Sequence, residues 1–273
     1  MKILSNKSRI KLLQYLLHHV YQINKPDKRK CKVYEGIFPV YTNSSGRMDL
    51  KLYCPNRKVL GRSRSIYRKE PETIEWINTF SAEDMLFDVG ANIGLYSLLA
   101  AKRGTKVVAF EPEPQNFAVL TTNVYLNELA DRIIPLNLAV ANRIMIDYLY
   151  MPVYGFGTAF NRFGKAPDSE GDTAPYSAKQ AVMSYSLDAF TAAFPEYSPT
   201  HIKIDVDGLE NLIVSGAIRT IENPRVRTLL VEFEDTIGAD RQSLDLITSK
   251  GFTVRSKHPR RQANTFNYIF SRE

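Results

Sequence analysis

The chain has 273 residues, 44% hydrophobic and 24% charged, with a net charge of +7 and two cysteines; these proportions exclude collagen-like, disordered and multi-span membrane classes and leave room for one large domain with a small appendage. The charge is uneven, because residues 1–32 carry nine lysines and arginines against Asp27 and the rest is close to neutral, which argues against a nucleic-acid-binding body. Cys31 and Cys54 lack metal or redox spacing and there is no apolar run of about 18 residues, so free thiols and a cytoplasmic location without a spanning helix are expected.

In chain order, Ile10, Leu13, Leu17 and Val20 recur at spacings of three and four and predict an amphipathic helix over 8–23, inside a basic arm at 1–32. Such a helix can dock on the body, self-associate or lie on an anionic membrane surface. Strands at 31–41 and 48–54 around Asn43-Ser44-Ser45-Gly46 predict a hairpin, and Pro71 opens a helix around Glu72–Phe80, so 33–80 reads as a cap ahead of the main domain at 81–273. From residue 81, strands near 84–89, 106–110, 133–140, 201–206, 227–233, 252–256 and 266–271 alternate with helices. That rhythm predicts an α/β Rossmann-like fold, a mostly parallel seven-stranded sheet with helices on both faces. The stretch 151–184, rich in glycine and proline, is expected to be a loop insertion with Tyr154, Phe156, Phe160 and Tyr176 as candidate lid aromatics.

The run Phe87-Asp88-Val89-Gly90-Ala91-Asn92-Ile93-Gly94 leads from the first strand into a helix that stops at Gly104. Phe110-Glu111-Pro112 ends the second strand, placing an acid where it can accept hydrogen bonds from both hydroxyls of a ribose. Two nucleoside-bearing ligands fit this spacing. A pyrophosphate would approach the middle glycine of the dinucleotide fingerprint, here Asn92, and would meet the Asp88 carboxylate; the ammonium and sulfonium of S-adenosylmethionine match that charge instead. The candidate cofactor-binding residues are therefore Asp88, Gly90, Asn92, Gly94, Glu111, Pro112, Asn116 and Asp205. Asn123 reads as solvated or capping.

These blocks, with Glu113-Pro114-Gln115-Asn116-Phe117, Ser186-Leu187-Asp188 and Ile202-Lys203-Ile204-Asp205-Val206-Asp207-Gly208, resemble the FkbM family of methyltransferases over roughly residues 70–271. The resemblance implies O-methylation of hydroxyls on sugars or secondary metabolites, of the kind found in bacterial polysaccharide and metabolite biosynthesis, with S-adenosylmethionine as donor. Asp207 stands where the family usually carries Glu, and Leu209 where a small residue or histidine is common.

Asp205, ending the fourth strand, is the candidate catalytic or substrate-orienting acid. His258 is the candidate proton acceptor in Lys257-His258-Pro259-Arg260-Arg261, expected to be a basic loop on the active edge able to hold a phosphate or sugar acid. Asp207 and Glu210 read as a capping-box start to a helix. Glu232 either joins Asp205 around a magnesium ion or belongs to a solvated acidic edge; the site as read requires no metal. His201, at the start of its strand, reads as structural. The expected partner is a small-molecule or glycan hydroxyl acceptor, with no nucleic acid. RNA methylation, a non-catalytic partner-binding platform and a nicotinamide oxidoreductase are the competing functions. The near-neutral body, the joint presence of Asp88, Gly90, Gly94 and Glu111, and Asn92 argue against them in that order.

Overall fold

The structure, a computed structural model, describes residues 31–33, 39–44, 49–164, 176–260 and 262–272; the amphipathic helix expected at 8–23 lies outside them. Three sheets organise the chain. The largest contains β4 (Met85–Val89), β5 (Lys106–Phe110), β6 (Ile133–Leu136), β11 (His201–Ile204), β12 (Thr228–Glu234), β13 (Thr253–Pro259) and β14 (Thr265–Ser271), in the order β13-β14-β12-β11-β4-β5-β6. Strands β6 to β12 run parallel and β14 is antiparallel to both neighbours. This is the seven-stranded Rossmann-like sheet expected from the sequence.

Its inner strands are largely apolar because helices cover both faces, and their side chains alternate between two cores. Leu86, Val107 and Ala109 face one core with Leu98, Leu99, Val119 and Leu120; Phe87, Val89, Val108, Phe110, Ile202 and Val231 face the other. The covering helices include α3 (Leu95–Lys102), α4 (Pro114–Leu126), α5 (Leu187–Ala193), α6 (Glu210–Ser215), α7 (Ile218–Glu222) and α8 (Gly238–Ser249). The chain runs outward from β4 through β5 to β6 and then crosses back to β11 on the other side of β4. The crevice at the carboxyl ends of β4 and β11 is thus the point where strand order reverses, the place where open α/β sheets bind ligands.

Three departures from the sequence reading matter for that crevice. Helix α1 (Arg57–Lys69), capped by the Asn56 side chain on Val59 N, was not anticipated. It precedes α2 (Pro71–Ile77), and its apolar residues Val59 and Ile66 are buried. The strand expected over 133–140 breaks after Leu136, and β7 (Ala139–Val140) joins a second sheet instead. That sheet, ordered β7-β10-β8-β9, uses β8 (Met145–Met151), β9 (Arg162–Phe163) and β10 (Ala178–Tyr185), so the expected loop at 151–184 is in part sheet. Its sequence misled because β10 is half exposed and carries Lys179, Gln180 and Ser184 between small apolar residues.

The strand expected over 31–41 is two, β1 (Cys31–Val33) and β2 (Pro39–Asn43), paired antiparallel, and with β3 (Leu50–Tyr53) they form the third sheet. Asn123 and Asn127 of the α4 end fasten it. Tyr53 N donates to Asn123 Oδ1 at 2.7 Å and Lys51 N to Asn127 Oδ1 at 3.1 Å, while Asn123 Nδ2 donates to Ile93 O at 2.8 Å. Asn123 is thus a buried tie rather than a solvated residue. His201 sits at the opposite end of the sheet from the crevice, stacked on Phe80 at 3.8 Å and bonded to Thr228 Oγ1 at 2.6 Å. Burial pushes its imidazole down to about 4. Among the described residues no helix is long and apolar enough to cross a membrane.

Candidate functional site

The glycine turn after β4 brings the backbone of the motif against the end of β11. Gly90 has φ +80°, and a Cβ there would lie 2.0 Å from the Asp205 carbonyl oxygen and 3.0 Å from Val206. Any side chain would force the two strand ends apart. Gly94 is needed for a different reason, since its Cβ would meet Leu120 at 2.2 Å; it lets α3 and α4 pack and lines neither cleft described below. Gly90→Ala should therefore destabilise the fold by about 3 kcal/mol from overpacking and left-handed strain together. The melting temperature should fall by roughly 6–12 °C. Gly61→Ala, in the open interior of α1 with nothing within 4 Å, should be stabilising by about 0.5–1 kcal/mol. A thermal melt that ranks the two variants the other way would refute the close approach at Gly90.

Beside this turn lies a cleft of about 570 Å³, lined by Gly90, Asn92, Glu111, Pro112, Asn116, Leu138 to Val140, Thr158, Asn161, Asp205 and Asp207 among others. Glu111 is buried on its floor and accepts from Asn92 N at 2.7 Å and Glu113 N at 2.9 Å. Burial pushes its carboxyl up to about 7 against the pull of those two amides. No lysine, arginine or histidine is among the described residues lining this cleft.

The two asparagines that line the cleft are also hydrogen-bonded across its mouth. Asn92 Nδ2 and Asn116 Nδ2 both donate to Thr158 O, at 2.7 and 3.2 Å, and Asn116 Oδ1 accepts from Gly157 N at 2.8 Å. They pin residues 157–158 across the cleft mouth. Phe160 N completes the strap by donating to Asp207 Oδ2 at 2.6 Å. Thr158 Oγ1 is buried at the cleft and has no partner among the described residues. Pro112 lines the cleft, and its carbonyl accepts from Asn137 and Gln180.

Asp88 does not reach this space. Its side chain is fully buried, with Oδ2 accepting from Ser97 Oγ at 2.5 Å and Oδ1 unpartnered. Burial raises its carboxyl, opposed by Lys203. The acid that does reach is Asp205. It accepts from Lys203 Nζ at 2.9 Å and its side chain is one-fifth exposed, at 20%. Burial would raise Asp205, yet Lys203, Arg260 and Lys69 together hold it well below the usual carboxylate range. A carboxylate so stabilised orients or pairs charge and is a poor proton acceptor.

A second cleft, about 1060 Å³, shares Phe163, Asp207 and Leu209 with the first and opens beyond β11 and β12. Its wall carries Asp207, Glu210, Glu232, Glu234 and Asp240 with Arg162. The capping box holds in half: Glu210 accepts from Val206 N and Gly208 N at 3.0 Å each, whereas Asp207, at φ +61°, holds the strap. Ile204 pairs with Val231, so Asp205 and Glu232 follow side by side on adjacent strands. Burial and Asp205 push Glu232 up to about 7, against Arg260.

Of the basic segment 257–261, residues 257–259 are not the open loop expected, and Arg261 lies outside the described residues. Residues 257–259 belong to β13, where His258 pairs with Asn267, and His258 lines neither cleft. Lys257 bonds Asp235 at 2.5 Å, and Arg260 is spent between Glu70 and Glu232. The β-hairpin β13–β14 extends further than its apolar core suggested, because an edge strand tolerates charged residues. Among the described residues no group of three His, Cys, Asp or Glu side chains is placed to hold a metal ion.

Comparison with known proteins gives three findings. The sequence model of the Methyltransferase FkbM domain matches residues 88–254. The 31-O-demethyl-FK506 methyltransferase FkbM of Streptomyces tacrolimicus is 29% identical over 197 residues, covering 63% of this chain and 73% of that protein; methyltransferase sdnD of Sordaria araneosa is 24% identical over 228 residues, covering 72% and 84%. Among solved structures, methyltransferase FkbM from Methylobacillus flagellatus KT superposes with a TM-score of 0.47 at 18% identity, over 70% of this chain and 44% of that one.

Proposed function

The chain belongs to the FkbM methyltransferase family, and from that premise we propose that it moves a methyl group from S-adenosylmethionine to a hydroxyl of a saccharide or secondary metabolite. The observation that carries the donor assignment is the lining of the first cleft. It offers Glu111 to a ribose diol, Leu138 to Val140 to an adenine, and carboxylates with no cation among the described residues that line it. A pyrophosphate would be repelled there, whereas a phosphate-free nucleoside with a sulfonium is not. The bound donor supplies an electrophilic methyl group. The chain's own task is to align an acceptor oxygen with it and to remove one proton.

The second cleft, joined to the first at Asp207 and Leu209, suits the acceptor. Its wall carries five acid side chains beside Arg162, and burial raises Asp207, Glu210, Glu232 and Asp240 toward their neutral forms; such a wall favours a neutral, hydroxyl-rich ligand over the phosphate or sugar acid that the basic segment 257–261 suggested. Glu232, on that wall and titrating near neutrality, is the group best placed to take the hydroxyl proton. Asp205 is too strongly held as an anion, and His258 lies on the edge strand.

Calorimetric titration with S-adenosylhomocysteine and NAD tests the donor. The first compound should bind and the second should not, and Glu111→Ala should abolish binding. Because Glu111 offers two charged acceptor oxygens to a diol only as a carboxylate, and it titrates at about 7, affinity should weaken up to about tenfold from pH 8 to pH 6. Glu111→Gln should bind weakly without that dependence. NAD binding, or a flat wild-type profile, would sink the assignment.

A further inference from the structure

Helix α1 lies ahead of the matched segment 88–254, touches the strap at Gly157 and borders a cleft with the glycine turn Gly90 to Ile93. Arg62, Ser65, Ile66 and Lys69, at spacings of three and four, form one stripe of it. That stripe makes one wall of a third cleft, about 480 Å³, whose other wall includes Tyr96, Lys203 and Asp205. This cleft shares Gly90, Asn92 and Asp205 with the first. A ligand whose ribose lies at Glu111 therefore continues past Gly90 into a space that has Arg62 and Lys69 on one side and Asp205, paired with Lys203, on the other. The donor's far end is an α-amino acid, with a carboxylate and an ammonium on one carbon.

Resting on the donor assignment above, we propose that Arg62 of α1, backed by Lys69, holds the α-carboxylate of the methyl donor while Asp205 holds its α-ammonium. Arg62 is suited to this by its anchoring. Its Nε donates to Gly157 O at 2.9 Å, which fixes the guanidinium at the cleft. No other side-chain hydrogen bond of Arg62 is seen among the described residues, so the two terminal nitrogens remain to meet a carboxylate in the forked geometry that Arg provides. Lys69 pairs with Glu70 at 2.7 Å and is about one-third exposed, at 36%, so it adds positive field without a fixed contact. The same Arg62 bond ties α1 to the strap pinned by Asn92 and Asn116, so filling the amino-acid end of the site and holding its mouth involve one residue.

The test compares two ligands by calorimetry: S-adenosylhomocysteine, and its decarboxylated analogue, which keeps the ammonium and loses the carboxylate. The wild-type protein should prefer the carboxylated ligand. Arg62→Gln should weaken S-adenosylhomocysteine about tenfold and leave the analogue within twofold, which also shows that the variant is folded. Arg62→Lys should recover part of the loss, and Arg62→Gln with Lys69→Gln should abolish the preference. Equal weakening of both ligands would make Arg62 a support of the strap alone and overturn the proposal, as would an unchanged preference in the double variant. Failure of the wild-type protein to bind either compound would overturn the donor assignment, and this inference with it.

Discussion

Lys203→Met is expected to destabilise the protein by about 3–5 kcal/mol at neutral pH, the cost of removing one partner from a buried ion pair. Lys203 is 1% exposed and its ammonium is the cation that both Asp205 and the buried Asp88 depend on. Without it two carboxylates remain under the glycine turn, one of them with an oxygen that has no partner. The pH dependence follows from the shifts. Lys203 is raised above its ordinary 10.5 and Asp205 lowered below its ordinary 3.8. The pair's contribution is complete between those two values, lost as pH falls through the folded-state value of Asp205, and lost as pH rises through that of Lys203. In the methionine variant the stranded carboxyls titrate upward, so the deficit should shrink when pH is lowered from 7.5 to 5.5. Urea unfolding at both pH values measures it. A deficit below 1 kcal/mol at pH 7.5, or one that grows on acidification, would contradict the assignment of Lys203 as the counter-ion.

Glu232→Gln should lower kcat at least 100-fold, the usual contribution of a positioned general base, while donor affinity is unchanged. The wild-type kcat should rise with pH through about 7, where the Glu232 carboxyl ionises, and the variant's should not. Glu111 titrates in the same range but acts on donor binding, so it shows in the donor KM and disappears at saturation. His258→Ala, on the edge strand, should stay within twofold of wild type. The measurement is methyl transfer from labelled S-adenosylmethionine to neutral glycosides across pH 5.5 to 9. Loss of activity in the histidine variant with retention in the glutamine variant would reverse the assignment. The outcome bears on specificity too, because the same acid wall is what disfavours an anionic acceptor.

The parallel strands were legible because burial on both faces makes each a short apolar run, and Asp88 to Gly94 and Glu111 were legible because a strand-to-helix turn restricts its residues. Gly90 is the clearest case: its position in the motif and its 2.0 Å approach to Asp205 express one constraint. Helix α1 was harder to see. Its buried residues Val59, Ser63 and Ile66 are few among many charges, and tertiary packing rather than a wide apolar stripe holds it. Strand β10 was hidden for the related reason that one of its faces is wet.

Side-chain roles divided along the same line. Local sequence placed Glu111 and Asp205 at strand ends, and both reach the first cleft. It could not reveal that Asp88 points into a buried pair with Ser97, that Asn92 and Asn116 are spent on Thr158, or that Arg260 is taken by Glu70 and Glu232. Thr158, Glu70 and Glu232 come from elements distant in the chain, and Ser97 from the first turn of the next helix, whose direction relative to Asp88 only the fold sets. What the sequence by itself determined was the sheet, the glycine turn and the acid Glu111 at the end of β5, because backbone sterics and alternation are local. Which acids face solvent, which asparagines are already satisfied and which cations remain for a ligand were decided only by the tertiary structure, because desolvation and hydrogen-bond completion depend on neighbours that folding brings together.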